Sequence, residues 1–479
     1  MNNLYDKYFN KPSIRDARKR RSTDTPRFSY QPQSHLGALG AGKTYLIQTY
    51  GCQGNEADTE TMQGILHEMG FSPVHEPSKA DLIVLNTCAI RANAENRVFG
   101  EIGRLKQFKR HNPDLLLAVA GCMPQEESVV EKLLKSYPYV DLIFGTHNIH
   151  KLPYYLESAI LSKERVIEVF SEEGAIIENL PKARDHAYKA WVNIMYGCDE
   201  FCTYCIVPYT RGKERSRAPE DVLEEIRALA SEGYREVTLL GQNVNAYGRD
   251  FNDRDYTFAH LLADLRDVPI DRVRFTTSHP KDLDEATILV LAQGGNLMPH
   301  IHLPVQSGSD AVLKKMNRHY TREVFLQCVD TIRTHIPDAS LTTDLIVGFP
   351  TETDADFEAT LDLVKTVGFE GAFTFIFSPR DGTPAAQYVD DVPAEVKKTR
   401  LQTLNQAINA GYLAGHKRFE GQTVKVLVDG QSKSDPTILA GYTPHNKLVN
   451  FSGLAELKGQ IVDVKITEAK TWFLKGTVI

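Results

Sequence analysis

Three of the seven cysteines, Cys198, Cys202 and Cys205, fall in the spacing C-x3-C-x2-C. Three thiolates packed this closely can ligate three irons of a cubane iron–sulfur cluster, and the fourth iron then stays open for a substrate or cofactor. The competing chemistry is half of a zinc site. Structural zinc takes four closed ligands, and the loop holds no fourth Cys or His. Three more cysteines, Cys52, Cys88 and Cys122, lie 36 and 34 residues apart. Each stands just after a short β-branched or apolar run. Cys328 differs: it sits in the amphipathic stretch 324–332 and reads as a small buried apolar residue.

The elements around these residues explain why they could meet. Residues 43–150 alternate strand-like runs (44–50, 81–86, 115–120, 140–144) with helical patterns near 56–69, 93–110 and 125–136. That alternation predicts a parallel α/β sheet. Ligands of open α/β sheets bind at the carboxyl ends of the strands. Cys52, Cys88 and Cys122 are therefore expected to converge on one edge as a second three-thiolate site. The alternative is three unrelated core cysteines.

The alternation restarts at 190, with strands near 191–196, 236–240, 272–276, 300–303, 340–347 and 372–377 and helices between them. Six β/α units predict a partial barrel, short of the usual eight. Polar loops follow its strands at Gln242-Asn243, Ser278-His279, Gln306-Ser307 and 348–352, on the face where such barrels hold their sites. After a helix near 394–414, residues 417–479 carry short alternating runs that predict a small antiparallel β-barrel, either an RNA-binding module or a structural cap.

The expected organisation is a basic disordered extension over 1–42 and an α/β domain over 43–150. After these come a connector over 151–189, a partial barrel over 190–415 and a small β-barrel over 416–479. A phosphate-loop pattern, Gly37-Ala-Leu-Gly-Ala-Gly42-Lys43-Thr44, falls at the end of the extension. It has no strand before it, and residues 44–50 read as a strand where a phosphate loop needs a helix, which argues against an ATP site.

Hydrophobic content of 42% and charged content of 24% fit a soluble globular protein. No apolar run approaches a membrane span, and no signal segment is legible at the N-terminus. A cytoplasmic location is the resulting expectation, and there cysteine clusters are more often metal or redox sites than disulfides. The net charge of −7 argues against nucleic acid, but residues 11–30 carry a local +5 and residues 417–479 a local +3. Local patches matter more than totals for RNA binding. Arg211, Lys213, Arg215 and Arg217 form another basic run, read as phosphate contacts or as a solvated loop.

From about 43 to 479 the chain resembles the radical S-adenosylmethionine (SAM) methylthiotransferases. The resemblance is carried by Thr49-Tyr-Gly-Cys-Gln53, Leu85-Asn-Thr-Cys-Ala-Ile-Arg91, Asn193-Ile-Met-Tyr-Gly-Cys-Asp199, Cys205-Ile-Val-Pro-Tyr-Thr-Arg-Gly-Lys-Glu-Arg-Ser-Arg217, His302-Leu-Pro-Val-Gln-Ser-Gly-Ser309 and Asp344-Leu-Ile-Val-Gly-Phe-Pro350. These stretches are closest to the branch acting on dimethylallyladenosine in bacterial tRNA. One departure is Gly54, where the family usually has Met.

The resemblance implies two 4Fe–4S clusters and SAM. Cys198, Cys202 and Cys205 would hold the SAM-binding cluster, and Cys52, Cys88 and Cys122 the auxiliary one. Tyr204 would pack near the SAM adenine, and Gln242, Asn243, Ser278 and Gln306 would contact SAM by matched loop position. It further implies methylthiolation of C2 of N6-dimethylallyladenosine at position 37 of tRNA, through a 5′-deoxyadenosyl radical. The barrel at 416–479 would be a TRAM domain. The partners would be the tRNA anticodon stem-loop, an electron donor such as flavodoxin or ferredoxin, and a sulfur donor. The alternatives are the same chemistry on threonylcarbamoyladenosine or on a ribosomal protein aspartate, and a non-catalytic iron–sulfur RNA-binding or redox-sensing protein.

Overall fold

The computed structural model describes residues 25–32, 34–89, 92–169, 175–433 and 435–479. Most of the basic extension, residues 1–24, lies outside them. The first unit is a six-stranded, all-parallel sheet. Its spatial order is Ser72–Pro73, Thr44–Tyr50, Leu82–Thr87, Leu116–Gly121, Leu142–Phe144 and Val166–Glu168. Leu82–Thr87 is buried at every position, as a central strand covered on both faces must be. One face packs Ile83, Leu85, Leu117 and Val119 against helices Ala92–His111 and Glu127–Ser136. The other packs Leu82, Val84, Ala118 and Ala120 against Gln53–Glu68 and Leu152–Ser162.

Two boundaries differ from expectation. Leu152–Ser162 and Val166–Glu168 were expected in a connector, yet they complete this sheet. The apolar face of that helix, with Leu152, Leu156 and Ala159, covers sheet residues that would otherwise face water. Described parts of the extension pack on the rest: Arg27–Ser29 pairs in parallel with Ile176–Glu178, and Leu36 is buried. The glycine loop at 37–42 runs into strand Thr44–Tyr50 and opens no helix, so it lacks the helix N-terminus a phosphate site needs.

The second unit has six parallel strands in chain order: Lys189–Asn193, Glu236–Leu240, Arg272–Phe275, His300–His302, Ser340–Val347 and Ala372–Ile376. They bond as two groups of three, linked by a single bridge between Val273 and Leu297. No pairing joins the first strand to the last among the described residues. Alternate residues such as Val192, Val237, Val273, Ile301 and Leu345 face the outer helices. The intervening ones, among them Glu236, Arg272, Arg274, His302 and Asp344, face inward.

The C-terminal unit is a closed five-stranded barrel in the order Thr423–Gln431, Leu439–Tyr442, Leu448–Ser452, Leu474–Val478, Ile461–Ala469. It was expected to be antiparallel throughout, but Leu448–Ser452 pairs with Leu474–Val478 in parallel. A closed ring of five strands cannot alternate direction at every pairing, so one parallel pair is unavoidable. This barrel docks at the amino ends of the central strands. The Arg272 guanidinium donates to the carbonyls of Tyr442 (2.8 Å) and Lys425 (3.0 Å). Arg274 donates to those of Thr443 (2.7 Å) and Pro444 (2.9 Å). No described helix is long and apolar enough to cross a membrane.

Buried charges join the first two units. Glu225, on helix Pro219–Ser231, pairs with Lys182, with Arg184 (2.7 Å) and with Arg217 (2.7 Å). Arg184 also reaches Glu60 of the first unit (2.9 Å), and Arg217 reaches Glu178 (2.6 Å). Burial opposes the charge on Glu225, but the three cations win and hold its carboxyl well below the ordinary range. Replacing Glu225 by Ala leaves those cations short of a buried partner. We expect the variant to lose about 3–5 kcal/mol in denaturant unfolding at neutral pH. A carboxyl with a depressed folded pKa stabilises above its unfolded value and loses that contribution in acid. The gap between the wild type and Glu225→Gln should therefore narrow as pH falls below about 4.

Candidate active site

Short strands Met195–Tyr196 and Arg215–Ser216 pair antiparallel and close the loop that carries Cys198, Cys202 and Cys205. Gly197 enters this loop at φ +79°, and a Cβ there would lie 1.9 Å from the Lys213 carbonyl oxygen. Only glycine fits. The Gly197 N–H donates to Gln242 Oε1 (2.5 Å), and the Cys198 N–H to the Gly212 carbonyl (3.1 Å). The far side of the loop is pinned by Thr203, whose hydroxyl donates to the Lys315 carbonyl (2.9 Å). Asn317 Nδ2 adds a bond to the Phe201 carbonyl (3.0 Å). Arg318 is buried and points Nη1 at Cys202 Sγ (3.4 Å) while Nη2 donates to the Pro304 carbonyl (2.8 Å). Burial, then Glu214 and the neighbouring thiols, push the Cys198 thiol far up; burial pushes Cys205 up to about 12.

The other three cysteines meet at the carboxyl edge of the first sheet. Cys52 precedes helix Gln53–Glu68, while Cys88 and Cys122 follow Leu82–Thr87 and Leu116–Gly121. Gly121, at φ +100°, leaves no room for a Cβ, which would lie 2.3 Å from the Thr87 carbonyl oxygen. Asn55 Nδ2 donates to the Thr87 carbonyl (3.1 Å) and Asn86 Nδ2 to the Asn55 carbonyl (2.7 Å), fixing two of the turns together. A hydrogen bond from Cys88 and the charge of Arg211 lower the Cys52 thiol against the opposing effect of burial. Burial raises Cys122 to about 11.

The two sets share a wall. Ile206, next to Cys205, packs against Cys122 and Ala89. Arg211 donates through Nε to Cys122 Sγ (3.3 Å) and pairs through Nη2 with Asp58 (2.7 Å). The expectation that the basic run meets RNA phosphates is corrected here. Arg211 and Arg217 are buried and committed to internal carboxylates, and Lys213 and Arg215 are also buried. Arg211 and Arg217 hold the junction through Asp58 and Glu178, as charge-assisted pairs. Gly54 borders the same junction. A Cβ there would sit 3.5 Å from Arg211 Nη2 and 3.6 Å from Cys52 Sγ, ordinary contact distances, so the position does not demand glycine.

The polar barrel loops gather beside the Cys198–Cys205 loop. Asn243 Nδ2 donates to Asp282 Oδ2 (2.6 Å), and Arg249 pairs with Asp282 Oδ1 (2.6 Å). Lys281 pairs with Glu200 of the cysteine loop (2.7 Å). Asn243 Oδ1, Ser278 Oγ and His279 Nε2 are buried without a partner. Unpaired buried polar atoms are costly, and three on adjoining loops suit a polar ligand such as SAM. Thr277, Gln306 and Thr351, on loops after three successive strands, hold positive φ values of 69–70°. Such strain is rare for non-glycine residues and clusters at functional sites. Tyr204 packs against an apolar group containing Met316 and Phe349. Gln242, expected at SAM, accepts from the Gly197 N–H through its Oε1 and so also anchors the cysteine loop. Glu200, Asp282 and Arg249 were not singled out from sequence; Asp282 lies four residues past Ser278, in a loop whose polarity was the available signal.

Glu200, His279 and Asp282 are the one His/Cys/Asp/Glu group among the described residues whose ligand atoms all lie within 4.8 Å. Its carboxylates already have Lys281, Arg249 and Asn243 as partners. Neither cysteine triad is so tight. Burial opposes the charge on Cys122, Cys198 and Cys205, so a bound metal is what would hold these three as thiolates.

Three family models match the chain: the radical SAM superfamily over residues 192–364, uncharacterized protein family UPF0004 over 44–145, and the TRAM domain over 417–479. The tRNA-2-methylthio-N(6)-dimethylallyladenosine synthase of Anoxybacillus flavithermus is 59% identical, across 99% of this chain and 91% of the relative. That of Bacillus licheniformis is 59% identical, across 99% and 94%. Among solved structures, the radical SAM methyltransferase TsrM of Kitasatospora setae with cobalamin and a [4Fe-4S] cluster aligns at a TM-score of 0.51. The identity is 15%, covering 72% of this chain and 77% of that one, a likeness of fold.

The glycine geometry gives a test. Gly197→Ala should unseat the Cys198 loop and lose about half of the iron bound after anaerobic reconstitution, one cluster of two. Gly54→Ala should load iron as the wild type does. Iron counted per chain separates the two.

Proposed function

The chain belongs to the tRNA-2-methylthio-N(6)-dimethylallyladenosine synthase family, and on that premise we propose that it adds a methylthio group to C2 of N6-dimethylallyladenosine at position 37 of tRNA. The observation that carries the reading is the near-full-length identity of 59%, together with two cysteine triads that share a wall at Ile206 and Cys122. When bound, SAM and two 4Fe–4S clusters supply the radical and the sulfur that this unactivated C–H bond requires.

The rest is the chain's own work. Cys198, Cys202 and Cys205 hold one cluster, and Cys52, Cys88 and Cys122 the other. Asn243 Oδ1 and Ser278 Oγ offer unpaired contacts to SAM. Tyr204 packs beside the SAM cluster, and Gln306 shapes its loop. Gln242 positions the cysteine loop through Gly197 by its Oε1, leaving its Nε2 for SAM. Arg318 donates to the sulfur of Cys202 and Arg211 to that of Cys122, which fixes both side chains in place. The buried loops around Cys202, Asn243 and Ser278 would exclude water from the site. A flavodoxin or ferredoxin supplies the electron and a separate donor the sulfur, in the cytoplasm.

The C-terminal barrel is the proposed tRNA-binding module. Lys425, Lys465 and Lys475 project from its strands into solvent. Changing all three to Ala should weaken tRNA binding at low salt and reduce the slope of log affinity against log salt by about 0.7–0.9 per lost phosphate contact. Equal slopes would make the barrel a cap.

The cysteine sets give the test of the function. Cys202→Ala should abolish SAM cleavage to deoxyadenosine. Cys88→Ala should still cleave SAM yet form no methylthio nucleoside, measured by nucleoside mass spectrometry after reaction with dimethylallyladenosine tRNA. Repeated methylthio turnover by Cys88→Ala would remove the sulfur-delivery role from the auxiliary set.

A further inference from the structure

The last barrel strand carries two large aromatic side chains on a face where a closed barrel would bury them. Ala372 and Ile376 pack toward the helices, and Thr374 donates to Asn405 of helix Ala394–Lys417 (2.6 Å). The alternate residues, Phe373 and Phe375, therefore face the barrel interior. They remain 61% and 38% exposed. The strand is an edge, and among the described residues no further strand pairs beyond it.

Their neighbours define a surface. Phe373 pairs in register with Asp344 and Phe375 with Ile346. The His302 ring meets Phe373 edge-on at 6.1 Å, and His302 also lies 3.4 Å from Asp344 Oδ1. At the upper end, Ile346 packs on the same apolar group as Tyr204 of the Cys202–Cys205 loop. At the lower end, Glu370 holds Lys447 (2.7 Å) and Arg418 (3.1 Å) beside the C-terminal barrel. The strip thus runs from the proposed tRNA-binding module to the cysteine loops.

We infer that Phe373 and Phe375 are a stacking platform for an unpaired base of the substrate RNA, whose edge is read by His302 and Asp344. This rests on the tRNA reading above and adds the residues that seat the single strand. Exposed aromatic faces are how proteins hold unstacked bases, and neighbouring polar groups read the base edges. Residues i and i+2 of a strand stand about 6.7 Å apart. That is close to twice the stacking repeat of about 3.4 Å, so one base fits between the rings. A continuous aromatic and polar strip joined to the site favours this occupant over a second copy of the chain, which would need a broad apolar patch.

The test reads binding, not turnover. A fluorescently labelled anticodon stem-loop with dimethylallyladenosine is titrated with the reconstituted enzyme and its Phe373→Ala/Phe375→Ala, Leu/Leu and Tyr/Tyr double variants. Loss of stacking costs about tenfold per base or more. The Ala and Leu variants should each bind at least tenfold more weakly and the Tyr variant within about twofold of the wild type. Binding of a fully paired RNA and RNA-free SAM cleavage should be unchanged. Wild-type affinity in the Ala variant overturns the platform. So does full rescue by Leu, which would mean apolar contact without stacking. So does conversion of a wild-type dimer to monomer by the Ala change, which would make the strip a self-association surface. A wild-type enzyme that binds the stem-loop but never methylthiolates it defeats the functional reading alone, because the platform is read from affinity.

Discussion

The structure depends on one buried guanidinium. Arg211 leaves the loop that carries one cysteine set, crosses to the other unit, pairs with Asp58 and donates to Cys122 Sγ. Burial costs a charge in that position, and Asp58 at 2.7 Å and Cys122 Sγ at 3.3 Å offset that cost. Its effect is geometric. The residue is six positions from Cys205, so fixing it to Asp58 and Cys122 fixes the distance between the two sets of thiols. Two sites that must act on one atom need this constraint more than either needs a rigid domain of its own.

The other buried charges repeat the logic at larger scale. Arg184 and Arg217 tie the carboxylates Glu60, Glu178 and Glu225 across the linker and two units. At the opposite end, Arg272 and Arg274 are satisfied mainly by backbone carbonyls of the C-terminal barrel. A guanidinium with several donors can bind a loop's carbonyls without burying a second charge. One end of the central barrel is thus covered by the cluster-bearing sheet and the other by the small barrel.

Much of this was legible in the sequence. Cys198, Cys202 and Cys205 could be read from their close spacing, and Cys52, Cys88 and Cys122 because each stands at a strand end behind a glycine or threonine; both are local features. The strands and helices of all three units arise from periodicity. The fate of charge was not legible. Arg211 and Arg217 sit in a run that resembles a phosphate-binding loop, but their partners Asp58 and Glu178 lie 153 and 39 residues away. Periodicity also fails to distinguish the inside of a barrel from its outside. Phe373 and Phe375 read as ordinary strand aromatics, and only the pairing of Thr374 with Asn405 shows which way they face. The helix Leu152–Ser162 was lost to the connector because its apolar side is recognisable only with the sheet it covers.

The polar interior and the missing strands are one fact. An eight-stranded barrel fills its middle with branched apolar side chains. Here the inner face carries Glu236, Arg272, Arg274, His302 and Asp344, a composition that a closed core could not hold without a partner for each group. Arg272, Arg274 and Glu236 are matched at the end closed by the C-terminal barrel. His302 and Asp344, higher in the barrel, lie toward the open side. Along the first strand, the contact of Arg184 with the Trp191 carbonyl and with Glu60 places the linker and the first unit over that edge. The edge at Ala372–Ile376 has no such cover among the described residues, and it is the one that carries the exposed aromatics. A base entering there would pass Phe373 and Phe375 before it reached the apolar group of Ile346 and Tyr204 at the cysteine loop, so six strands leave both the entrance and the means to line it.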